Sequence, residues 1–292
     1  MVPGALLSSR LSLCGPGRAG KAFARSWIAA GGVLHEVLAR DLRAAELAVA
    51  TLASGRPRAS GGPISACDIL VVAVPDDAIA EVAAALAPRA ACRLAFHLSG
   101  ALPAKALAPL AGSAPGAALG SLHPLRAFTG AEGETWRGAF VAVEGDPPAV
   151  EAGLAMAAAL QANGNRLDAE GKTLYHAGAQ LAAGGTAAVI SLAARAWVEA
   201  GLDPERAREA LAGLSASAAG AAFARPFAEA FSGAVARRDV GTVRAHVEAL
   251  ALAQKRDILE VYRRLAEETL ARTPGRGRED EMRALLARCG PA

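Results

Sequence analysis

The chain has 292 residues, of which 53% are hydrophobic and 20% charged, and 31 basic against 28 acidic residues give a net charge of +3. This composition is typical of a folded globular protein and excludes a disordered one. Charges of both signs are mixed along the chain with no long run of one sign, so we expect no nucleic-acid partner. The length favours two domains.

The four cysteines, Cys14, Cys67, Cys92 and Cys289, lie far apart and form no CxxC pair. This spacing argues against a zinc site and against a disulfide framework, so we expect no bound metal and a cytoplasmic protein. The first residues lack the basic start and the long apolar core of a secretion signal. Uninterrupted apolar stretches are shorter than a membrane span, and we expect no membrane association.

Strand and helix patterns alternate through the first half of the chain. Ile69–Val74 is a continuous apolar run between Asp68 and Pro75, typical of a strand buried on both faces of a parallel sheet. Further strands are predicted at 10–14, 33–39, 58–60, 93–98, 118–122 and 140–143, and helices at 18–30, 42–53 and 76–86. This alternation predicts an N-terminal Rossmann domain, a doubly wound parallel sheet, over residues 1–168.

From about Glu170 onward alanine, leucine, arginine and glutamate dominate, and β-branched runs vanish. Residues 169–292 are therefore predicted to form an all-α domain, with breaks at Gly201, Pro226 and Gly233. Asp203-Pro204 marks a helix start, because aspartate suits the N-cap and proline the first helical position. Long amphipathic stretches in this domain require a partner surface for their apolar face.

Gly15, Gly17 and Gly20 form a GxGxxG pattern that follows a predicted strand and opens a predicted helix. In this setting the first glycine permits the tight turn, the second lets the backbone approach a pyrophosphate, and the third lets the helix pack on the strand. The helix N-terminus, from Arg18 and Ala19 onward, presents unpaired N–H groups to the phosphates. The pattern predicts a dinucleotide-binding loop.

The second strand ends at Arg40-Asp41, where Rossmann proteins recognise the ribose of the cofactor. Arg40, with Arg43 nearby, favours NADP because a guanidinium can form a fork onto a 2′-phosphate. If Asp41 points at the ribose instead, the 2′-phosphate is repelled and NAD is preferred. A third alternative is that these charges are solvated surface groups.

Two later segments follow predicted strands at the edge where open α/β sheets bind ligands. Val74, Pro75 and Asp76 follow one strand, and Ser99 and Gly100 follow the next. We expect these residues to line the cofactor crevice. Ser99 is also suited to capping the following helix, and the proline and glycine also turn the chain.

Five segments, in this order, carry a resemblance to a known group of proteins: Gly15–Gly20, Asp68–Asp77, His97–Gly100, Ser121–Leu125 and Lys172–Ala177. They resemble bacterial two-domain Rossmann-like proteins with a C-terminal helical domain of unknown function, related to 6-phosphogluconate dehydrogenase, pyrroline-5-carboxylate reductase and prephenate dehydrogenase. The resemblance, which extends to 231–243, implies nucleotide binding and a homodimer through the helical domain. This chain departs from the pattern at Gly184, where an asparagine is expected, and at Ala234, where a proline is expected.

Lys172 and His176 are four residues apart on a predicted helix, so they share one face, and both can exchange a proton with a substrate. His123, in a His-Pro pair that resembles that of prephenate dehydrogenases, follows a strand on the expected ligand side. These three are the predicted catalytic residues. The alternatives are an exposed lysine and structural histidines bonded to nearby carbonyls. Tyr175 is expected to point about a quarter-turn away.

Together these features predict an NAD(P)-dependent oxidoreductase, with NADP favoured, that transfers a hydride between the nicotinamide and a small polar metabolite. We expect the metabolite to be an anion, bound in the cleft between the two domains, with Arg126 suited to hold a carboxylate. The alternative is a dinucleotide-binding sensor or partner-binding protein without turnover, which the departures at Gly184 and Ala234 favour.

Overall fold

The computed structural model describes residues 6–113, 117–273, 275 and 277–287. The chain divides into two compact units, residues 1–183 and 184–292. The division falls after residue 183, whereas the sequence pattern predicts a boundary after residue 168. The difference arises because Lys172 is buried beside Ser121 of the sheet, which ties the helix that it begins to the first unit.

The first unit is built on an eight-stranded sheet with the strand order β3-β2-β1-β4-β5-β6-β7-β8. Its strands are β1 (Leu11–Cys14), β2 (Leu34–Ala39), β3 (Arg56–Ala59), β4 (Ile69–Val72), β5 (Leu94–His97), β6 (Ala118–Pro124), β7 (Phe140–Gly145) and β8 (Asn163–Arg166). The order runs outward on both sides of β1 and β4, as in a doubly wound sheet. The predicted fold class, a Rossmann-like α/β unit followed by helices, is confirmed.

The sheet is mostly, rather than entirely, parallel. Strand β7 pairs antiparallel with β6, and β8 then pairs parallel with β7. An antiparallel pair needs no helical crossover, and the described residues between β6 and β7 contain no helix. The sequence pattern did not predict β8, because Asn163–Arg166 has no β-branched residue and pairs through its backbone at an edge.

Helices cover both faces of the sheet in this unit: α1 (Arg18–Ala29), α2 (Leu42–Leu52), α3 (Ile79–Leu86), α4 (Ala108–Ser113), α5 (Pro147–Ala159) and α6 (Lys172–Gln180). Helices α1, α2 and α5 share one hydrophobic cluster with Phe96 of β5 and with Trp136 of the loop before β7. Helices α3 and α4 share the other cluster with Leu70 and Val72. Strand β4 is thus buried on both faces, as its unbroken apolar run predicts.

The second unit is helical where the structure describes it: α7 (Thr186–Glu199), α8 (Pro204–Ala224), α9 (Phe227–Ala230), α10 (Gly233–Arg237), α11 (Val240–Leu252), α12 (Arg256–Arg272) and α13 (Glu279–Ala287). A π-helical turn, Leu181–Gly185, precedes α7. The predicted breaks at Gly201, Pro226 and Gly233 lie between helices or at their starts. The Asp203 carboxylate caps α8 by accepting hydrogen bonds from the N–H groups of Glu205 and Arg206.

The core of the second unit comes from α11, α12 and α13, with Val243, Val247, Leu270 and Met282 among its residues. Among the described residues, neither α7 nor α8 contributes to a hydrophobic cluster of either unit. Only Ala207 and Leu211 of α8 are buried. These two helices therefore leave most of their apolar surface exposed in a single chain.

The segment Lys172–Glu199 is helical and, by length and composition alone, apolar enough to cross a membrane, and its most apolar part is not buried. The expectation that every apolar stretch is too short was wrong for this helix, because that expectation considered only uninterrupted apolar runs and this helix also contains polar residues. A helix at a protein–protein interface meets the same criterion, so the finding does not assign a membrane span.

Candidate functional site

The loop between β1 and α1 has the geometry that a bound pyrophosphate requires. Gly15 has a φ of +90°, and a Cβ there would lie 2.7 Å from the carbonyl oxygen of Ala73. A Cβ at Gly20 would collide with the carbonyl oxygen of Gly15. A Cβ at Gly17, in contrast, would meet no atom within 4 Å. The first and third glycines thus pack the turn against its neighbours, and the second faces open space.

Helix α1 begins at this open space without a side-chain cap or an acidic residue in its first turn. The first hydrogen bond of the helix joins the N–H of Lys21 to the carbonyl of Gly17. The N–H groups of Arg18, Ala19 and Gly20 therefore remain for a ligand, and the positive end of the helix dipole lies beside them. A phosphate fits this loop.

At the end of β2, Asp41 and Arg40 have different surroundings. The Asp41 carboxylate caps α2, accepting a hydrogen bond of 2.8 Å from the N–H of Ala44. Arg40 is exposed, as is Arg43. The carboxylate is thus already used within the protein, whereas both guanidinium groups are open to solvent.

The carboxyl ends of β4 and β5 are joined by a hydrogen bond between predicted crevice residues. Ser99 Oγ donates to the Asp76 carboxylate at 2.7 Å and accepts from the N–H groups of Ala101 and Leu102. The hydroxyl thus caps the turn after β5 rather than the next helical turn, Ala104–Leu107, which has no side-chain cap. Val74 and Pro75 lead into the turn Asp76–Ala78, beside the glycine loop at the point where the strand order reverses.

Gly100 lies beneath two imidazole rings. A Cβ at Gly100 would lie 2.5 Å from His176 Nδ1 and 2.8 Å from His123 Nε2. The rings of His123 and His176 meet edge to face with centroids 5.6 Å apart. His123 Nδ1 makes a hydrogen bond of 2.9 Å with the hydroxyl of Tyr175, whose ring lies near that of Phe140. The predicted catalytic residues His123 and His176 therefore lie together, over a residue that must lack a side chain.

Lys172 is buried beneath this histidine pair rather than exposed. Its side chain is 1% exposed, and its ammonium donates to Ser121 Oγ and lies 3.6 Å from the Glu144 carboxylate. Glu144 also accepts a hydrogen bond from the N–H of Ala104, and Ser121 donates to the carbonyl of Ser99. Lys172 thus links α6 to β6 and β7 and, through Ser121, to the turn that carries Gly100.

Burial lowers the pKa of Lys172, of His123 and of a further histidine, His97, at the end of β5. It lowers the pKa of Lys172 to about 8, although the nearby Glu144 carboxylate acts in the opposite direction. It lowers the pKa of His123 to about 4, with further contributions from His176 and Lys172. His97 also has a pKa of about 4, because of burial and then the Lys172 charge. His123 and His97 are therefore neutral at physiological pH.

His97 has its two ring nitrogens in use. Nδ1 accepts from the N–H of Ser99 at 3.1 Å, and Nε2 lies 3.0 Å from the carbonyl oxygen of Pro103. The Nε2–H tautomer satisfies both contacts, whereas a proton on Nδ1 would face the N–H of Ser99. His97 is a structural histidine that orients Ser99 and, through it, the turn at Gly100.

Two other candidate residues have local roles. Arg126 donates to the carbonyl groups of Thr135 and Arg137 at 3.4 and 3.2 Å, so part of its guanidinium is used within its own loop. His246 makes a hydrogen bond of 3.0 Å with Tyr262 in the second unit. In the part of the chain that the structure describes, no three His, Cys, Asp or Glu side chains form a group suited to a metal ion.

Three contributors to the site were missed by the sequence analysis: Ser121, Glu144 and Tyr175. Glu144 stands at the end of an otherwise apolar strand and is only 8% exposed, so a lone acid in such a run was a usable signal for a buried partner of a cation. Ser121 precedes His123 by two residues and faces the same side of β6. Tyr175 was expected to point elsewhere, and no local pattern predicts its contact with His123, 52 residues away.

Residues 139–269 match the model of DUF2520, a domain of unknown function. None of the curated proteins matches the chain. Similar solved structures include a protein from Bacteroides fragilis described as an NADP oxidoreductase, with a TM-score of 0.73 and 17% identity over 90% of this chain and 98% of that one.

A second is a protein from Thermotoga maritima, with a TM-score of 0.62 and 21% identity over 96% of this chain and 97% of that one. A third is a 1-pyrroline-5-carboxylate reductase from Streptococcus pyogenes, with a TM-score of 0.60 and 14% identity over 95% and 99%. At these identities the likeness shows the fold. The chain therefore has the Rossmann-like fold of these solved structures, and its residues 139–269 are similar to DUF2520.

Proposed function

We propose that this protein is an NAD(P)-dependent oxidoreductase. The observation that carries the proposal is the glycine loop, in which Gly15 and Gly20 are closed by packing and Gly17 faces open space at the start of α1. This loop stands on β1, next to β4, where the strand order of the sheet reverses and where dinucleotides bind in doubly wound folds. The oxidoreductase and reductase described above share this fold.

NADP is the favoured cofactor. The capping role of Asp41 supports this preference, because a carboxylate that already accepts a backbone hydrogen bond is less available to a ribose hydroxyl. Arg40 is exposed at the end of β2 and can form a fork onto a 2′-phosphate, with Arg43 one helical turn away. The fold is shared with a protein described as an NADP oxidoreductase.

The bound nicotinamide supplies or accepts a hydride, and the protein must then exchange a proton with the substrate. His123, held at Nδ1 by Tyr175, and His176 are the side chains placed to do so. Lys172 has a positioning role, because its contacts with Ser121 and Glu144 hold α6 and the turn at Gly100 in place. The substrate that we propose is a small polar anion, since the ammonium of Lys172 lies beside this site, although the Glu144 carboxylate 3.6 Å away offsets part of its charge.

Cofactor binding is tested by titrating the purified protein with NADPH and with NADH and following nicotinamide fluorescence. We expect NADPH to bind more tightly, and Arg40→Ala to weaken NADPH by about tenfold while leaving NADH unchanged, which corresponds to one charge-assisted hydrogen bond. Arg89→Ala, on an arginine that follows α3, is the control. Equal binding of NADH and NADPH by the wild type would reverse the cofactor preference, and no binding of either would refute the proposal.

Turnover is tested by following NADPH oxidation across a panel of keto acids, imines and hydroxy acids. A second function, a dinucleotide-binding sensor without turnover, is favoured by one observation. The side chain of Lys172, predicted to touch substrate, is 1% exposed, and its ammonium already contacts Ser121 and Glu144. Tight NADPH binding with no oxidation across the panel at high protein concentration supports the sensor, and oxidation of any member refutes it.

We further propose that the protein is cytoplasmic and forms a homodimer through its helical unit. Three cysteines, Cys14, Cys67 and Cys92, are free and buried, which suits a reducing compartment. The exposed apolar surface of α7 and α8 includes Leu214, 59% exposed, and Phe223, 89% exposed. A second copy of the same surface would cover these side chains.

A further inference from the structure

A cavity of about 700 Å³ opens at the edge of the sheet opposite to the glycine loop. It is formed where β1, β2 and β3 begin, by the segment before β1 and by the turns that follow α1 and α2. Its lining is Leu7, Ser8, Ser9, Arg10, Gly31, Val33, Leu34, His35, Gly55 and Arg56. The volume falls within the range of small-molecule sites in proteins.

The charged lining residues are both basic. Arg56 is exposed, and among the described residues it forms no ion pair. Arg10 lies 3.5 Å from the Asp68 carboxylate through Nε, and its side chain is 56% exposed. This pairing uses Nε and leaves the forked end of the guanidinium for a ligand. The two arginines and Ser9 line the same cavity, and their side chains are donors suited to an anion.

His35 also lines the cavity, at a local irregularity of the sheet. Between Leu11 and Ser12 of β1 the pairing with β2 shifts from Leu34 to Glu36, so the register passes over His35. Among the described residues His35 Nε2 has no hydrogen-bond partner, but this nitrogen is closed to solvent, so a ligand in the cavity does not reach it. The imidazole therefore forms part of the wall of the cavity, and the two arginines and Ser9 supply its donors.

We propose that this cavity binds an organic phosphate. A guanidinium pair with a hydroxyl matches the several acceptor oxygens of a phosphate, and the volume exceeds what inorganic phosphate alone needs, leaving room for an attached polar group. The cavity lies one strand length away from the glycine loop, about 13 Å for the four residues of β1. It is thus separate from the proposed cofactor site and does not depend on the proposed function.

The proposal is tested by titrating the full-length protein with glucose 6-phosphate, inorganic phosphate and glucose at constant ionic strength. Trp27 is an internal probe, because its indole nitrogen lies 3.4 Å from the carbonyl of the lining residue Val33. Binding is followed by tryptophan fluorescence and by calorimetry, with and without saturating NADPH. We expect saturable binding of glucose 6-phosphate, weaker binding of inorganic phosphate, and none of glucose.

Two variants locate the binding. Arg56→Ala and Arg10→Ala should each weaken the binding of glucose 6-phosphate by about tenfold. Arg43→Ala, on an exposed arginine outside the lining, and Arg40→Ala, in the proposed cofactor site, should leave it unchanged.

Two results overturn the proposal: no phosphate binds, or Arg56→Ala and Arg10→Ala both bind as the wild type does. Displacement of the phosphate by NADPH also refutes a separate site, because it places the phosphate on the glycine loop. Since NADPH is titrated independently, a failure here is distinguished from a failure of the proposed oxidoreductase function.

Discussion

Gly100 occupies the point where two imidazole rings come closest to the backbone, so a single methyl group there tests the arrangement of the site. We expect Gly100→Ala to displace the rings of His123 and His176, since the new Cβ would lie 2.5 Å from one ring and 2.8 Å from the other. Overpacking of this kind costs about 1–3 kcal/mol in the free energy of unfolding. Urea unfolding measures this cost, and nicotinamide-dependent turnover measures the effect on the site.

Gly178→Ala is a matched control, because Gly178 lies on the same helix as His176 and a Cβ there would meet no atom within 4 Å. This second change should be neutral or stabilise the helix by up to about 1 kcal/mol. Equal effects of the two substitutions would show that contact with the rings is not the reason why position 100 is a glycine.

His97 makes stability depend on pH in a defined direction. Its pKa of about 4 lies below the ordinary value of 6.5, so the unfolded chain binds more protons than the folded one between these pH values. Its contribution to stability is therefore complete above pH 6.5 and is lost as the pH falls toward 4. The full effect is on the order of 3 kcal/mol. His123, whose pKa is also about 4, acts in the same direction but is less buried.

The measurement is the free energy of unfolding in urea between pH 4.5 and 7.5. His97→Gln should lower stability at pH 7 and flatten its decline with acid, because the titrating group is gone. His246→Gln, on an exposed histidine of the second unit, should leave the decline as it is in the wild type. A decline of unchanged steepness in His97→Gln would contradict the structural role of that ring.

At the scale of elements, the loop between β1 and α1 contains two kinds of glycine, one that faces open space and one that packs against the backbone. Gly17→Ala should leave the fold intact, since a Cβ there meets no atom, but weaken NADPH binding because the methyl group occupies the space for the pyrophosphate. Gly20→Ala should instead destabilise the unit, since its Cβ would collide with the carbonyl oxygen of Gly15.

Thermal unfolding and NADPH titration of both variants test this division. The expected results are an unchanged melting temperature with weaker binding for Gly17→Ala, and a lowered melting temperature for Gly20→Ala. Tight NADPH binding by Gly17→Ala would contradict the placement of the phosphates over this glycine.

The predictions agree best with the structure where a few neighbouring residues specify an element. The unbroken apolar run of β4 is buried throughout, and Asp203-Pro204 starts α8 with the aspartate as its cap. The direction of β7 and the existence of β8 were not predictable in this way. They depend on which neighbour a strand pairs with, and a strand's own residues do not encode that choice.

At the scale of the whole molecule, the exposed helices of the second unit lead to a prediction about assembly. We expect the protein to sediment as a homodimer, because among the described residues neither α7 nor α8 contributes to a hydrophobic cluster, and α8 exposes side chains such as Leu214 and Phe223. Leu214→Arg should shift the protein toward monomer, since a charged side chain at the centre of such an interface is left without a partner.

Analytical ultracentrifugation across a range of protein concentrations tests this expectation. Arg208→Ala, on a largely exposed arginine of the same helix that pairs with Glu205, is the control and should leave the mass unchanged. A monomeric wild type at micromolar concentration would contradict the homodimer.

The sequence by itself determined the features that depend on neighbours along the chain: the alternation of strands and helices, the helix caps, the glycine loop and the helical second half. Periodicity and turn chemistry act over a few residues, so they are visible without a fold. Only the tertiary structure decided that Lys172 is buried against Ser121 and Glu144, that Tyr175 binds His123, and that the boundary between the units follows α6. These contacts join residues tens of positions apart, and the packing of the sheet, rather than any local pattern, brings them together.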